Sequence, residues 1–592
     1  MFDDDENENV HNRFSGNPDE TDDFETTLGS LNRNLEKILM GFIGLGLIVA
    51  AIIFFLLWRR GAAETAAIQA IAPTLIPTAA IAVIDEVPTQ TPEPTLVPTP
   101  VPAGGKFLSP EENSRLSLNE QVIIEVFVSD PVGIRNIQIF DNGQTIFSQQ
   151  FDGQTEVTYS QGWVPLSDGF HLLKVIMTNR EGDQVEIAER NVRVIDFEFV
   201  EANRETLSRI EADVAAVRGL ALKEPVDPHL MGQGELKQYM RSFDYTPADG
   251  YEDMLVLSQF DFLERGYDLY EASLEFAGSS IAGFYDPATK EFVIVSTDRQ
   301  INVLEENTYA HELMHALQDQ YFGLGELSTT GDVDLSSEEA LALRALAEGE
   351  ADLLESQYQD RFFTDDEAIE VFNIIQTLYR PTQFTIEPVP VLTAQFYFPY
   401  EQGAAFVADA YGRGGWDAVT NLWSNRPTST EQILHPERYY AGDVPQEISI
   451  NSADELLGEN WRLIRDDVMG EFYIRQYLGQ QLSPDDVNYG ALGWGGDRYL
   501  VYLNDKNDTD PLNDETILIF KSGWDNAAEA DHFGDAWSIY ADAAYGGVIG
   551  DANVGASCRQ ASDLICSIRL GDEWLIIRAP SLELAGQIIS AQ

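Results

Sequence analysis

Residues 309–318 read YAHELMHALQ, and the five letters HELMH at 311–315 decide how the rest of the chain is read. On a helix, His311 and His315 stand four residues apart and stack on one face. Two imidazoles so placed can hold one Zn2+, and Glu312 beside the first can reach a zinc-activated water as general base. Three fixed positions are a modest signal by themselves, so the flanks matter. The run LEENT at 304–308 supplies acidic residues and cap candidates ahead of the histidines. Leu313, Met314 and Leu317 give an apolar face, and Gly323 and Gly325 end the helix.

Zinc needs a third protein ligand and an open position. Downstream, residues 336–358 form a second helical stretch that carries AEGEAD at 347–352. Glu348 and Asp352 are four apart, so Glu348 can bind the metal while Asp352 orients a ligand histidine from behind. Alone, such a pair also fits a solvated acidic helix face.

HELMH followed by Glu348-x-x-x-Asp352 resembles the gluzincin zinc metallopeptidases, the thermolysin-like clan. AHELMHALQDQYF with RALAEGEAD is similar to a group of membrane-anchored bacterial members. The resemblance covers residues 204–440. It implies His311, His315 and Glu348 as ligands of one zinc ion, Glu312 as base, and a peptide or protein as substrate. The spacer between His315 and Glu348 is longer than in thermolysin, which leaves Glu350 as a rival third ligand. An oxyanion donor is also needed. Of seven histidines, His11 lies in an acidic tail, His171 in a β region, His229 in a Pro-rich loop and His532 in an acidic helix. His435 follows the third-ligand helix, as the donor histidine does in thermolysin-like enzymes, and is the candidate. A structural loop histidine is the alternative reading, with Tyr439 and Tyr440 as other donors.

Around this centre the chain has room for several domains, since it runs to 592 residues. A formal net charge of -63 and a pI near 4.1 argue against nucleic acid, whose phosphates would be repelled, and against adsorption to anionic lipid. Cys558 and Cys566 are the two cysteines; a disulfide and a pair of buried thiols both fit. Residues 1–36 read as an acidic disordered tail. Residues 37–58 read as a transmembrane helix around the uncharged run ILMGFIGLGLIVAAIIFFLLW at 38–58. Arg33 and Lys37 before it balance Arg59 and Arg60 after it. The Pro/Thr-rich linker at 59–105 and the cysteine pair then favour an exterior C-terminal side.

Period-two runs at 122–128, 134–140 and 172–177, separated by turn signals, make residues 106–197 an Ig-like β-sandwich with Trp163 in its core. It resembles the bacterial immunoglobulin-like domains, and a spacer or adhesion role follows from that. Residues 198–440 are the metallopeptidase core, with helical periodicity at 205–220, 234–241 and 252–274. A hairpin turns at 286–290; in gluzincins an edge strand there pairs with substrate backbone. Residues 441–592 form an α+β region, helical at 460–478, with strands such as 516–521 and 574–578. The glycines at 493–496 precede no Walker lysine, so they make no phosphate loop.

The fold class expected is multidomain: a single transmembrane helix, an all-β Ig-like sandwich, then a mainly helical α+β zincin-type metallopeptidase domain. The function expected is a membrane-anchored, surface-facing zinc peptidase, single-pass in the cell membrane with its catalytic domain extracellular. Its partners are a peptide or protein substrate and, through one helix, the membrane. The alternative is a non-catalytic cell-surface adhesion or binding protein that uses the Ig-like domain and keeps the peptidase fold as scaffold. The intact ligand and base residues favour the enzyme.

Overall fold

The computed structural model describes residues 103–592 except 242–244, 297–298, 330–334, 379–384, 505–513 and 561. Alternating apolar residues build the first part. The strands are β1 (Gly104–Ser109), β2 (Ser114–Ser117), β3 (Val122–Ser129), β4 (Ile134–Asp141), β5 (Gln144–Gln150), β6 (Glu156–Trp163), β7 (Gly169–Asn179) and β8 (Gln184–Ile195). They form two sheets, ordered β1-β3-β6 and β2-β8-β7-β4-β5. Every second residue of β7 is buried, as a strand with one face on a core requires. Ile124, Val126 and Val128 of one sheet meet Ile137, Ile139, Leu173 and Val175 of the other, with Trp163 among them. The β4–β5 turn is Asn142-Gly143, both at positive φ, the backbone that a two-residue hairpin of native twist needs.

The second part begins at α1 (Phe197–Arg218), capped by Asp196 and ended by Gly219 at φ 78°. Strand β9 (Pro228–Met231) follows, then helices Gln233–Met240, Pro247–Gln259 and Leu269–Ser280. The continuous helical periodicity expected over 252–274 is thus broken in two. Asp261 and Gly266 adopt positive φ between the halves, which a helix cannot accommodate. Strands β10 (Gly283–Asp286) and β11 (Glu291–Val295) form an antiparallel hairpin, and β9 lies parallel on the far side of β11. The Asp286 carboxylate folds the turn by accepting from the Ala288 amide at 2.8 Å and the Thr289 hydroxyl at 2.7 Å.

Two long helices come next: α2 (Val303–Phe322), ended by Gly323 in the left-handed region, and α3 (Ser337–Phe362), opened by a Ser336/Glu339 capping box. Leu313, Met314 and Leu317 of α2 pack on Ala351, Leu354 and Tyr358 of α3 and on Leu207, Ile210 and Val214 of α1. Burying each of these larger side chains contributes about 1.5–3 kcal/mol. The opposite side of α3 meets a π-helical turn, Pro399–Gly403, so closely that a Cβ on Gly349 would stand 2.2 Å from the Gly403 carbonyl oxygen. Helices α4 (Ala404–Ser424) and α5 (Thr430–Leu434) complete this part.

The third part is one antiparallel sheet of β12 (Arg462–Asp467), β13 (Trp494–Asn504), β14 (Glu515–Trp524), β15 (Ser557–Gln560), β16 (Leu564–Leu570) and β17 (Glu573–Ala579), ordered β12-β13-β14-β17-β16-β15. Helices α6 (Gly470–Gly479) and α7 (Ala527–Tyr545) cover one face through Tyr477, Phe533, Trp537 and Tyr540. The other face buries Leu500, Ile519 and Ile577 with Ile588. Cys558 and Cys566 stand opposite each other on β15 and β16 and form a disulfide.

Several expectations are corrected here. Beyond the sandwich the chain is not mainly helical: it is mixed, with a three-stranded and a six-stranded sheet. Residues 460–478 are not one helix either, because RLIRDD pairs with β13 as β12 and only α6 is helical. Among the described residues no helix is long and apolar enough to cross a membrane. The span expected at 37–58, with the tail at 1–36, lies outside the described residues. The single-pass architecture and the cell-membrane localisation built on that span are therefore withdrawn.

Candidate metal centre

Where α2 crosses α3, His311, His315 and Glu348 face one another, their ligand atoms all within 4.8 Å. Glu348 Oε2 lies 3.5 Å from His311 Nε2 and 3.3 Å from His315 Nε2. Ligands about 2.0–2.1 Å from a tetrahedral zinc stand about 3.3–3.4 Å from each other, so both separations match the edges of such a site. All three atoms are buried and none has a hydrogen-bond partner. Buried lone pairs are normally satisfied, and a cation between these three atoms would satisfy all of them. Two imidazole nitrogens and one carboxylate oxygen are a donor set that suits zinc.

The outer nitrogens of the two rings are fixed from behind. His311 Nδ1 is 2.8 Å from Glu355 Oε2, and Glu355 Oε1 in turn accepts from Asn307 and Gln359 at 3.0 Å each. His315 Nδ1 is 2.9 Å from Gln318 Oε1, and the Gln318 amide donates to the Ala347 carbonyl at 2.8 Å and to Glu350 at 3.1 Å. An acceptor at Nδ1 sets the proton there and leaves Nε2 bare toward the centre. Asp352, expected to orient a ligand histidine, stands 3.8 Å from His311 Nδ1, beyond hydrogen-bond reach. Glu355 takes that place. It is seven residues after Glu348, two turns along the same face, and that spacing was a signal open to sequence reading.

Glu312 is fully buried. Its Oε2 accepts the Tyr285 amide of β10 at 2.8 Å, and its Oε1 has no partner. Burial pushes this carboxyl up to about 7, against the pull of His315 and His311. Burial acts on Glu348 in the same sense, but there His315 and His311 outweigh it and hold the carboxyl at about 2.

Glu350, the rival ligand, faces away. Two residues along a helix turn the side chain by about 200°, and Glu350 is taken up by Arg218 Nε at 2.7 Å, Trp423 Nε1 at 2.6 Å and Gln318. His435 is also held elsewhere. Its Nε2 lies 3.0 Å from Glu471 Oε1, and nearby Thr430 of α5 donates through its hydroxyl to Glu338 at 2.9 Å. Glu338 precedes Glu348 by ten residues on α3, about 15 Å at 1.5 Å per residue. The structure pairs His435 with Glu471 and gathers His311, His315 and Glu348 without it. Of the alternative donors, Tyr439 gives its hydroxyl to the Asn425 carbonyl at 2.7 Å. Tyr440 lies exposed under Arg413.

Comparison with known proteins places a bacterial Ig domain at residues 106–175 and a domain of unknown function (DUF8575) at residues 461–588. Neither match reaches the HELMH helix. No curated protein matches the chain. Among solved structures, fibronectin(III)-like modules of Clostridium thermocellum CbhA are 17% identical over 15% of this chain and 93% of theirs, with a TM-score of 0.14. A CARDB domain from Pyrococcus furiosus is 16% identical over 16% of this chain and 93% of its own, at 0.13. A polysaccharide lyase is 12% identical over 54% of this chain and 57% of its own, also at 0.13. At these TM-scores none of the three carries an argument.

Proposed function

We propose that the chain is a zinc-dependent peptidase of gluzincin type. One observation carries the reading: His311 Nε2, His315 Nε2 and Glu348 Oε2 converge, buried and without hydrogen-bond partners, with both nitrogens at tetrahedral-edge distance from the carboxylate oxygen. These three residues would hold the ion. When bound, zinc supplies Lewis acidity toward a scissile carbonyl and lowers the pKa of water. Glu312 presents a buried, unpartnered Oε1 that can accept a proton and return it to a leaving amine. The Tyr285 amide holds its other oxygen, so the carboxylate keeps one orientation. Strand β10 is the edge of its sheet, and its Tyr285 amide is turned toward Glu312. Metal analysis of the purified chain with digestion of a peptide library tests the proposal. One zinc per chain, and cleavage lost in Glu312→Gln, support it; a chain that takes up no zinc or cleaves no peptide rejects it.

A second reading is a binding or adhesion protein without catalysis, and the bacterial Ig match at 106–175 favours it. The comparisons speak for this role in the sandwich, whereas the peptidase reading rests on the site's geometry. Capture of a partner that is unchanged in Glu312→Gln, by a chain with no peptidase activity, would establish the second reading.

A further inference from the structure

We infer that the Ig-like sandwich braces the hairpin that holds the catalytic base, and that Glu291 is the positioning residue at the joint; this rests on the peptidase reading. Glu291 opens β11 opposite Asp286 and is 1% exposed. Its Oε1 accepts the Phe170 amide, at the start of β7 in the sandwich, at 2.7 Å. Its Oε2 accepts the Tyr239 hydroxyl at 2.7 Å, and His229 Nε2 of β9 stands 3.3 Å from Oε1. A buried carboxylate is costly unless its oxygens are satisfied, and here the partners come from three separate elements.

The approach at this joint is close. Gly169 has φ 103°, and a Cβ there would lie 2.8 Å from Glu291 Oε1 and 2.9 Å from His229 Nε2. Two further contacts tie the same faces together: Arg193 of β8 donates to the Thr289 carbonyl in the hairpin turn, and Arg115 of β2 pairs with Asp227 just before β9. From the joint to the base is a short step. Tyr285 pairs with Phe292, the neighbour of Glu291, and the Tyr285 amide donates to Glu312 Oε2. A module that served only to bind a partner would need no buried, polar, shape-fitted contact with the hairpin. The sandwich makes one, and it bears on the strand that orients Glu312.

The test uses the full chain with Glu291→Ala on the hairpin side and Arg193→Ala on the sandwich side. Amide hydrogen exchange, zinc content and steady-state kinetics are measured on each. In Glu291→Ala, exchange protection of residues 283–286 falls about tenfold or more while that of the α2 core stays. Zinc content stays at wild type, and turnover falls about tenfold, the equivalent of one lost hydrogen bond. KM for a short peptide moves less than turnover. Glu291→Gln, which keeps an acceptor, restores part of both, and Arg193→Ala shifts both in the same direction by less. Unchanged protection in Glu291→Ala and Arg193→Ala overturns the inference, as does protection lost with turnover intact. If Glu291→Ala fails to fold, Arg193→Ala decides. A wild-type chain that cleaves nothing sinks the peptidase reading alone, and exchange at Tyr285 then still decides whether the sandwich braces the hairpin.

Discussion

Removing the acceptor behind His311 separates the two acids that could orient it. Glu355 Oε2 is 2.8 Å from His311 Nδ1 and buried with it, the geometry of a charge-assisted hydrogen bond. Asp352 at 3.8 Å makes no such bond. Loss of a partner behind a ligand histidine typically weakens metal binding about 10- to 100-fold, or about 1.4–2.7 kcal/mol. Glu355→Ala should fall at the upper end, because it also removes the acceptor that Asn307 and Gln359 share. Glu355→Gln should fall at the lower end, since the amide oxygen still accepts without the charge. Asp352→Asn should change affinity by no more than about threefold. Zinc affinity is read by competition with a chromophoric chelator, and thermal melts of the metal-free chains control for folding. An Asp352→Asn chain that loses more affinity than Glu355→Ala refutes the reasoning.

Three other expectations can be checked alongside. Glu312→Gln should retain zinc and lose about 100- to 10,000-fold in turnover, measured on any peptide the wild type cleaves. Glu350→Ala should keep its zinc yet lose about 3–5 kcal/mol of stability in urea denaturation, because Arg218, 3% exposed, is left without its carboxylate. Glu431 supplies a pH test. Burial pushes its carboxyl from 4.5 up to about 9, with Arg438 opposing and Glu471, Asp525 and Asp443 adding. Between those values the folded chain keeps a proton that the unfolded chain has lost, so stability falls as pH rises through the window. Glu431→Gln, neutral at every pH, should flatten that fall in Tm measured from pH 5 to 9; an unaltered slope counts against the assignment.

What could be read in advance followed from local rules. His311 and His315 share a face because the helical repeat puts them there, and the helical stretch read at 336–358 is α3. The sandwich was legible from period two, and the β10–β11 turn from the run DPATK. What escaped reading depends on how elements cross. Glu355 meets His311 only because α3 lies over α2 at one angle, and Gln318 meets His315 as a turn of its own helix closes back on the ring. The pairing of His435 with Glu471, 36 residues on, escaped for the same reason: chain order carries no distance. Strand β12 has charged and apolar residues in an order that fits neither period well, so pairing with β13 decides its conformation.

The contacts of α3 also set a schedule for the growing chain. Its first turn is anchored by residues made much later: Glu338 by Thr430, 92 positions on, and the Ser337 amide by Asp467, 130 positions on. At about 5–20 residues per second, a ribosome needs roughly 7–26 s to deliver Asp467 after Ser337. Over that interval the helix bearing Glu348 and Glu355 has its histidine partners but not its N-terminal moorings. A nascent chain arrested before residue 430 should therefore bind zinc more loosely than the finished protein, with the helix fraying from Ser337 toward the ligand.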